Sequence, residues 1–220
     1  MRKMGFMIVG AGLLLALSGC FGKASIEEQI YDVLEETVTL EKPFVDQQKD
    51  IAAAEKREKE IFEEISSLSS DQMDEIQALA EEAFEAIEKR EGYIQTEKES
   101  MDASKKEFEK IPSLVEDIED DSVKEEAQGV VEAMNHRYEE FDVLHTSYKE
   151  TLAMEKELYS LLKDEETEMS VVTDQLIDLN EHYEQVIEAN KTFNEYTAQY
   201  NEQKQAFYKA TELNITFEEN

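Results

Sequence analysis

Glycine and proline are scarce after residue 25, and this scarcity limits the folds open to the chain more than any other feature of its sequence. Five of the seven glycines lie within the first 22 residues. Beyond them, only Gly92, Gly129, Pro43 and Pro112 interrupt the chain. Sheets, phosphate-binding loops and tight hairpins need such residues at their turns. The sequence therefore favours long helices joined by few connections.

Apolar residues recur at alternating steps of three and four through the same region, which is the spacing of a coiled-coil heptad. The row of core-facing positions, here called the seam, is clearest in the second predicted helix: Ile76, Ala80, Ala83, Ile87, Arg90, Ile94, Glu97, Met101, Ser104, Phe108 and Ile111. The predicted fold is all-α, an elongated antiparallel coiled-coil bundle of about four long helices, each about 60 Å long. It forms a single domain over residues 26–220. Helical hairpins that complete their core by dimerising are the alternative.

Local signals place the breaks between these helices. Pro43 lacks an N–H and crowds the preceding turn, so the first helix is expected to kink or break near it. Ser69 with Gln72 three residues later matches the capping-box pattern, which predicts that the second helix starts directly after Ser69. Ser122 with Glu125 predicts a similar start for the third helix.

The first 19 residues have the layout of a secretory signal peptide. Arg2 and Lys3 supply positive charge, and an uncharged run of 14 residues follows from Met4 to Leu17. A bilayer-spanning helix needs about 20 predominantly apolar residues. The run is therefore too short to remain as a comfortable membrane span, and we expect it to be removed.

The end of this leader, Leu17, Ser18, Gly19 and Cys20, resembles the bacterial lipobox, in which a small residue precedes an invariant cysteine. The resemblance implies that cleavage follows Gly19 and that the Cys20 sulfur carries a diacylglycerol, which holds the chain at a membrane through the tether 20–25. A two-chain lipid anchors a protein stably, whereas one acyl chain holds it only marginally. Cys20 is the only cysteine, so no intramolecular disulfide competes for it. An ordinary secretory signal that ends near a cysteine is the alternative.

The body of the chain is strongly acidic. The sequence has 54 Asp and Glu against 22 Lys and Arg, a formal net charge of −32, and loss of the two cations in residues 1–19 takes it to −34. Nucleic acid binding requires basic patches, so this partner class is excluded. The same charge repels anionic lipid headgroups. We therefore expect the body to stand away from its own membrane, held by the lipid.

Glu97 and Arg137 are unusual charged residues within their seams. If the second helix folds back on the third about a connection near residue 117, these two side chains face each other. A pair would keep either charge from being desolvated alone. The favoured interpretation is a buried ion pair that fixes the register of the helices. The alternative is a polar functional site within the bundle.

No sequence pattern typical of catalysis or metal binding is present. The chain lacks a G-x-S-x-G nucleophile elbow. Ferritin-type di-iron bundles need two Glu-x-x-His motifs, and the nearest match is Asp142 three residues before His145. The acidic connections near residues 116–121 and 164–168 lack the D-x-D-x-D-G pattern of a calcium loop. No catalytic residue, metal site or cofactor is therefore predicted, although a carboxylate pair could still arise among so many acidic residues.

The last predicted helix is rich in aromatic residues, whose faces could stack on sugar rings. Those on the seam are expected to pack in the core: Tyr183, Phe193, Tyr196, Tyr200 and Phe207. Tyr208 lies off the seam and is the predicted surface aromatic.

The lipobox, the start of the body at Ile26 to Tyr31 and the long Glu-, Lys- and Tyr-rich helices together resemble the YkyA-like family of cell-wall-binding lipoproteins of Gram-positive bacilli. The resemblance covers nearly the whole mature chain, and the lipobox is its one specific motif. It implies a protein anchored by lipid on the extracytoplasmic face of the cell membrane and assigned to wall binding. Members are sometimes described as hydrolase-like, but no residue of this chain supports that label.

The sequence thus favours a non-enzymatic interaction module that binds cell-wall polymer or a wall-associated protein. Two alternatives stay open. One is a carboxylate-based cell-wall hydrolase, and the other is a regulatory partner of a membrane enzyme. The sequence alone specifies neither the partner nor the oligomeric state.

Overall fold

The computed structural model describes residues 24–211 and residue 213, and this part of the chain is all-α with no strand. Its helices are α1 Ile26–Leu40, α2 Lys42–Ser67, α3 Met73–Phe108, α4 Ile111–Glu116, α5 Asp121–Leu162 and α6 Met169–Ala210, with a 3-10 turn at Ser70–Gln72 before α3. The predicted all-α bundle of about four long helices is confirmed, with α1 and α2 together forming the first. None of the described helices combines the length and the apolar character needed to cross a membrane.

The first long helix breaks at Glu41, close to Pro43, as the sequence predicts. α1 begins with a capping box, in which the Ser25 hydroxyl accepts from the Glu28 N–H at 3.1 Å and the Glu28 carboxylate accepts from the Ser25 N–H at 2.9 Å. α1 ends at Leu40, and Pro43 lies in the first turn of α2. N–H groups in the first turn of a helix have no acceptor within that helix, so a proline there costs no helical hydrogen bond.

A serine from α3 bridges the break. Ser100 Oγ accepts from the Phe44 N–H at 3.2 Å and donates to the Leu40 carbonyl at 2.6 Å. These are the two backbone groups that would bond to each other in a continuous helix. Both therefore stay paired although the helix is interrupted.

The two predicted capping boxes of the later helices have different outcomes. Ser69 and Gln72 form the predicted box before α3. At α5 the prediction is wrong, because Asp120 Oδ1 accepts from the N–H groups of Ser122 and Val123 at 2.9 and 3.0 Å. Aspartate caps a helix about as well as serine, so α5 starts before Ser122.

The connection between α3 and α5 contains a short helix of its own. α3 ends at Phe108, and Pro112 lies in the first turn of the six-residue helix α4. α4 packs against α1. The chain therefore forms a further short helix at Pro112, where the sequence predicted only the end of the second helix, and the acidic stretch 117–120 forms the connection to α5.

The described chain divides into two compact units, whereas a single domain over residues 26–220 was predicted. Unit 1 comprises the described residues of Met1–Val45, Glu99–Glu140 and Phe193–Asn220. Unit 2 comprises Asp46–Lys98 and Phe141–Thr192. Helices α3, α5 and α6 each contribute one segment to each unit.

Each unit has a buried core that the seam supplies. Every seam position predicted for the second helix, from Ile76 to Ile111, is buried. In unit 2, Ile61, Ile87 and Leu152 are fully buried and belong to one apolar cluster. The core of unit 1 includes the fully buried Ile30, Leu34, Met134 and Phe207.

Candidate functional site

The predicted membrane anchor lies outside the described residues. This applies to the signal peptide 1–19, to the lipobox Leu17, Ser18, Gly19 and Cys20, and to the tether up to residue 23. Lipidation of Cys20 therefore stays a prediction. The described residues hold the remaining candidates, which are the predicted ion pair, two buried polar clusters and a surface groove.

Glu97 and Arg137 are both buried, but the structure gives them other partners than each other. Glu97 accepts a hydrogen bond from the Gln48 side-chain amide. Arg137 donates from Nη1 and Nη2 to the two carboxylate oxygens of Glu41 at 2.7 and 2.8 Å. The predicted pairing of Glu97 with Arg137 is therefore corrected.

The register of the helices explains this error. In unit 2, Arg90 of α3 pairs with Glu155 of α5, with 2.7 Å between Nη1 and Oε2. The predicted register placed the partner of Arg90 about three helical turns earlier in α5. It assumed a simple loop near residue 117, but α4 lengthens the connection.

Unit 1 carries a surface groove of about 480 Å³ between α4 and α5, here called the α4–α5 groove. Its volume falls within the range of about 300–1,000 Å³ typical of small-ligand sites. Positions three and four apart in α5 supply one wall, because such positions share a helix face. The lining residues are Pro112, Val115, Glu116, Lys124, Gln128, Val131, Glu132, Asn135 and His136.

Apolar side chains and free primary amides make up much of the lining. Pro112 from α4 is exposed and Val131 from α5 is half-buried, so both offer apolar contact surface, whereas Val115 is buried. Gln128 and Asn135 are exposed, and neither side chain is bonded to another described residue. Each amide offers two N–H donors and a carbonyl acceptor. The groove therefore presents uncharged hydrogen-bonding groups beside apolar surface.

Three of the lining residues carry a full charge. Glu116 and Glu132 are carboxylates, and Lys124 is the one ammonium in the lining. Lys124 Nζ donates to the backbone carbonyl of Glu116 at 2.7 Å, which links α5 to α4 at the groove. Two carboxylates and one ammonium give the lining a net negative charge, so the groove disfavours an anionic ligand.

An aromatic pair borders the groove at His136. The His136 ring stacks on Tyr196 of α6, with ring centroids 5.2 Å apart and an angle of 26° between the planes. Tyr196 is half-buried, although its seam position predicted core packing. Tyr208, the predicted surface aromatic, is buried instead, and its hydroxyl donates to Glu35 at 3.0 Å.

A buried polar cluster in unit 2, here called the Arg90 cluster, joins α2, α3, α5 and α6. Arg90 of α3 donates from Nη1 to Glu58 of α2 and to Glu155 of α5. Its Nε donates to the Tyr148 hydroxyl at 2.9 Å, and that hydroxyl donates to Glu55 at 2.7 Å. One guanidinium therefore serves two direct carboxylate partners.

The two carboxylates that contact Arg90 directly are out of reach of a polymer. Glu58 and Glu155 are 6% and 1% exposed. Burial, together with the charge of Glu155, raises the pKa of Glu58 to about 8. Burial also raises the pKa of Glu155, whose Oε1 accepts from the Tyr183 hydroxyl of α6 at 2.7 Å. Carboxylates with shifted pKa values often mark catalytic sites. A catalytic group must contact its substrate, however, and Glu58 and Glu155 lie inside the core of unit 2.

The corresponding cluster in unit 1, here called the Arg137 cluster, has a single direct carboxylate. Besides its two bonds to Glu41, Arg137 donates from Nε to Thr197 Oγ1 at 3.0 Å. Ser104 Oγ donates to Glu41 at 2.8 Å and lies 2.7 Å from the Tyr138 hydroxyl. Within the described ranges, no group of three or more metal-ligating side chains comes together in either cluster or elsewhere.

Comparison with known proteins gives one family and a curated relative. The family model described as "Putative cell-wall binding lipoprotein" matches residues 25–210. A protein of Bacillus subtilis (strain 168), named "Uncharacterized lipoprotein YkyA", is 30% identical over 198 residues, which are 90% of this chain and 88% of that protein. The matched region includes all of the described helices.

A solved structure shares the fold. The crystal structure of a conserved protein of unknown function from Staphylococcus aureus matches with a TM-score of 0.63 and covers 85% of this chain and 97% of its own. The two sequences are 16% identical, so the likeness concerns the fold alone.

Proposed function

Because the chain belongs to the YkyA family of cell-wall binding lipoproteins, we propose that it is a lipid-anchored helical protein that binds the cell wall or a wall-associated partner from the extracytoplasmic face of the membrane. The family match over residues 25–210 carries this proposal. In this role the body provides a binding surface, and catalysis is no part of it.

The lipobox supports the anchored location. A diacylglycerol on Cys20 would hold the acidic body at the membrane without a membrane-spanning helix. Substitution of Cys20 by alanine is expected to release the protein into the medium or to leave it unprocessed, with helical content unchanged. Cell fractionation with circular dichroism measures this, and a C20A protein that is still processed and still membrane-held overturns the lipid anchor.

The charge of the body sets a condition on wall contact. Wall teichoic polymers are anionic, so a chain of formal net charge −32 is repelled by them. Contact through uncharged sugars, through bridging divalent cations or through a basic wall protein avoids this repulsion. The α4–α5 groove, with its free amides, suits the first of these.

The hydrolase alternative needs two carboxylates that reach the glycan or peptide bond. Glu58 and Glu155 both accept hydrogen bonds from the Arg90 guanidinium, but both are buried, which supports a structural role for them. We therefore expect no release of muropeptides from purified wall sacculi. Release by the wild-type protein would contradict the binding-only role.

Sedimentation with purified sacculi tests wall binding. We expect the full-length lipidated protein, extracted in detergent, to pellet with the sacculi in a saturable manner. Magnesium, calcium and a chelator are compared, because a requirement for a cation would identify bridging. Failure to pellet in every condition overturns direct wall binding, and crosslinking in whole cells then tests the remaining role as a partner of a membrane enzyme.

A further inference from the structure

We propose that the α4–α5 groove of unit 1 binds the glycan strand of the cell wall through its N-acetylated sugars. The inference rests on the proposed wall-binding function and adds the site and the class of ligand. It stands on the free amides, the apolar contacts and the charge of the groove lining.

The groove lining matches the chemistry of an acetamido sugar. An acetamido group carries one N–H donor, one carbonyl acceptor and a methyl group, and the sugar ring adds hydroxyls. Gln128 and Asn135 can donate to the carbonyl and accept from the N–H, since neither amide is engaged by a described residue. Pro112 and Val131 offer apolar surface to the methyl group. A small number of polar groups set among apolar side chains is the usual make-up of a ligand site.

The placement of the two amides favours a chain of sugars over a single one. Gln128 and Asn135 lie seven positions apart on α5, which is about 10.5 Å along a helix. Both are exposed, as is Pro112 on the opposite wall. A strand can therefore lie along the surface without a free end, with different sugar residues of the strand meeting the two amides.

Charge selects the glycan among the polymers of the wall. The lining holds two carboxylates, and the only ammonium, Lys124, is already bonded to the Glu116 carbonyl. An anionic teichoic polymer would meet net repulsion both here and from the rest of the chain. The glycan strand offers uncharged hydroxyl and acetamido groups along its length, so it avoids this repulsion.

The test uses the full-length lipidated protein in detergent and two matched double variants. The groove variant Gln128→Glu with Asn135→Asp keeps the size of both side chains, removes their N–H donors and adds two negative charges. The control variant Gln199→Glu with Gln205→Glu makes the same change of charge at exposed positions of α6 in unit 1 outside the groove. Thermal unfolding by circular dichroism checks that both variants fold like the wild type.

Two probes are used. The first is sacculi stripped of teichoic polymer and of protein, and the second is a β-1,4-linked N-acetylglucosamine tetrasaccharide observed by saturation-transfer NMR. We expect the groove variant to bind sacculi at least about tenfold more weakly, because two hydrogen bonds are lost. We expect the control variant to bind like the wild type, and we expect the tetrasaccharide signal only with the wild type and the control.

The possible results separate the groove from wall binding in general. If the wild type binds stripped sacculi and both variants match it, the groove assignment is overturned while wall binding stands. If binding disappears when wall protein is removed, the partner is a protein and the glycan assignment is overturned. If the wild type binds no sacculi and gives no tetrasaccharide signal, both proposals fail.

Discussion

The two compact units each bury one arginine, but the two arginines meet different numbers of carboxylates. Arg137 in unit 1 holds both oxygens of Glu41, so one positive charge faces one negative charge. Arg90 in unit 2 holds Glu58 and Glu155, so one positive charge faces two. Both arginines occupy seam positions, Arg90 in α3 and Arg137 in α5. The number of carboxylates around each guanidinium is what differs.

The imbalance in unit 2 makes protonation part of its stability. A buried carboxylate without a full countercharge favours its neutral form. Burial and the charge of Glu155 raise the pKa of Glu58 to about 8, and burial raises the pKa of Glu97 in the same unit to about 8. A buried guanidinium with a matched carboxylate, as in unit 1, needs no such proton. The comparison shows that net charge within a core, more than the presence of an arginine, sets its response to pH.

The largest effect is expected when Arg90 is replaced by methionine. R90M leaves Glu58 and Glu155 buried with no cation, and we expect a loss of about 5 kcal/mol in the free energy of unfolding. Urea denaturation at pH 8 measures it. Arg57→Met serves as the control, because the Arg57 side chain is 43% exposed and surface ion pairs contribute about 0–1 kcal/mol. Equal losses for the two variants would show that burial of the cluster has no energetic role.

A matched pair of substitutions, one in each cluster, tests directly whether the two arginine clusters differ. Glu41→Gln leaves the buried Arg137 without a countercharge, so we expect a loss of about 3 kcal/mol at pH 8. Glu58→Gln removes the surplus negative charge of unit 2 while its amide oxygen can still accept from Arg90, so we expect a change of less than about 1 kcal/mol. Urea denaturation of both variants gives the values. If E58Q costs as much as E41Q, the two clusters are equivalent.

The dependence of stability on pH is the next effect. Glu58 and Glu97 have folded pKa values of about 8, above the ordinary 4.5, so their contribution is fully present below about pH 4.5 and is lost as the pH rises through 8. We expect the free energy of unfolding to fall by about 2 kcal/mol per pH unit between pH 6 and 8, because each of the two carboxylates contributes up to about 1.4 kcal/mol per unit. The E58Q/E97Q double variant should flatten this slope. A control at Glu60 and Glu63, whose side chains are 45% and 62% exposed, changed to glutamine, should keep the slope. A wild-type stability that rises over this range would contradict the assignment.

The smallest effect concerns a neutral bridge in unit 1. Ser100→Ala removes the hydroxyl that bonds the Phe44 N–H and the Leu40 carbonyl, and we expect a loss of about 1 kcal/mol with no change in pH slope. Ser66→Ala is the matched control, because its exposed hydroxyl bonds only to its own helix at Phe62, 2.7 Å away. Thermal unfolding of both variants measures the difference. A pH-dependent loss for S100A would show that unit 1 also depends on a titrating group.

Much of the fold was predictable because it depends on local spacing. The heptad steps from Ile76 to Ile111 identified buried positions, including the polar Arg90, Glu97 and Ser104. The break near Pro43 and the capping box at Ser69 also follow from groups within one turn of each other. These features are set by residues close in sequence, whose effect does not depend on how the helices pair.

The candidate site was much less predictable. The α4–α5 groove depends on α4, a six-residue helix that begins at Ile111, where the predicted second helix was expected to end before Pro112. Its face on α5 consists of positions that the seam leaves exposed, so heptad spacing gives no signal for it. The run of Gln128, Val131, Asn135 and His136 on one helix face was the one available hint.

By itself, the sequence determined that the chain is helical, that it carries a large net negative charge and which seam positions are buried; its similarity to known proteins gave the family. Only the tertiary structure decided the partners of the buried charges: Arg137 meets Glu41, which is 96 positions away, and Glu97 meets Gln48. The physical reason is that a heptad repeat specifies which face of a helix is buried but not the register between helices. Register depends on the length and structure of the connections, and here α4 shifted it by two to three turns.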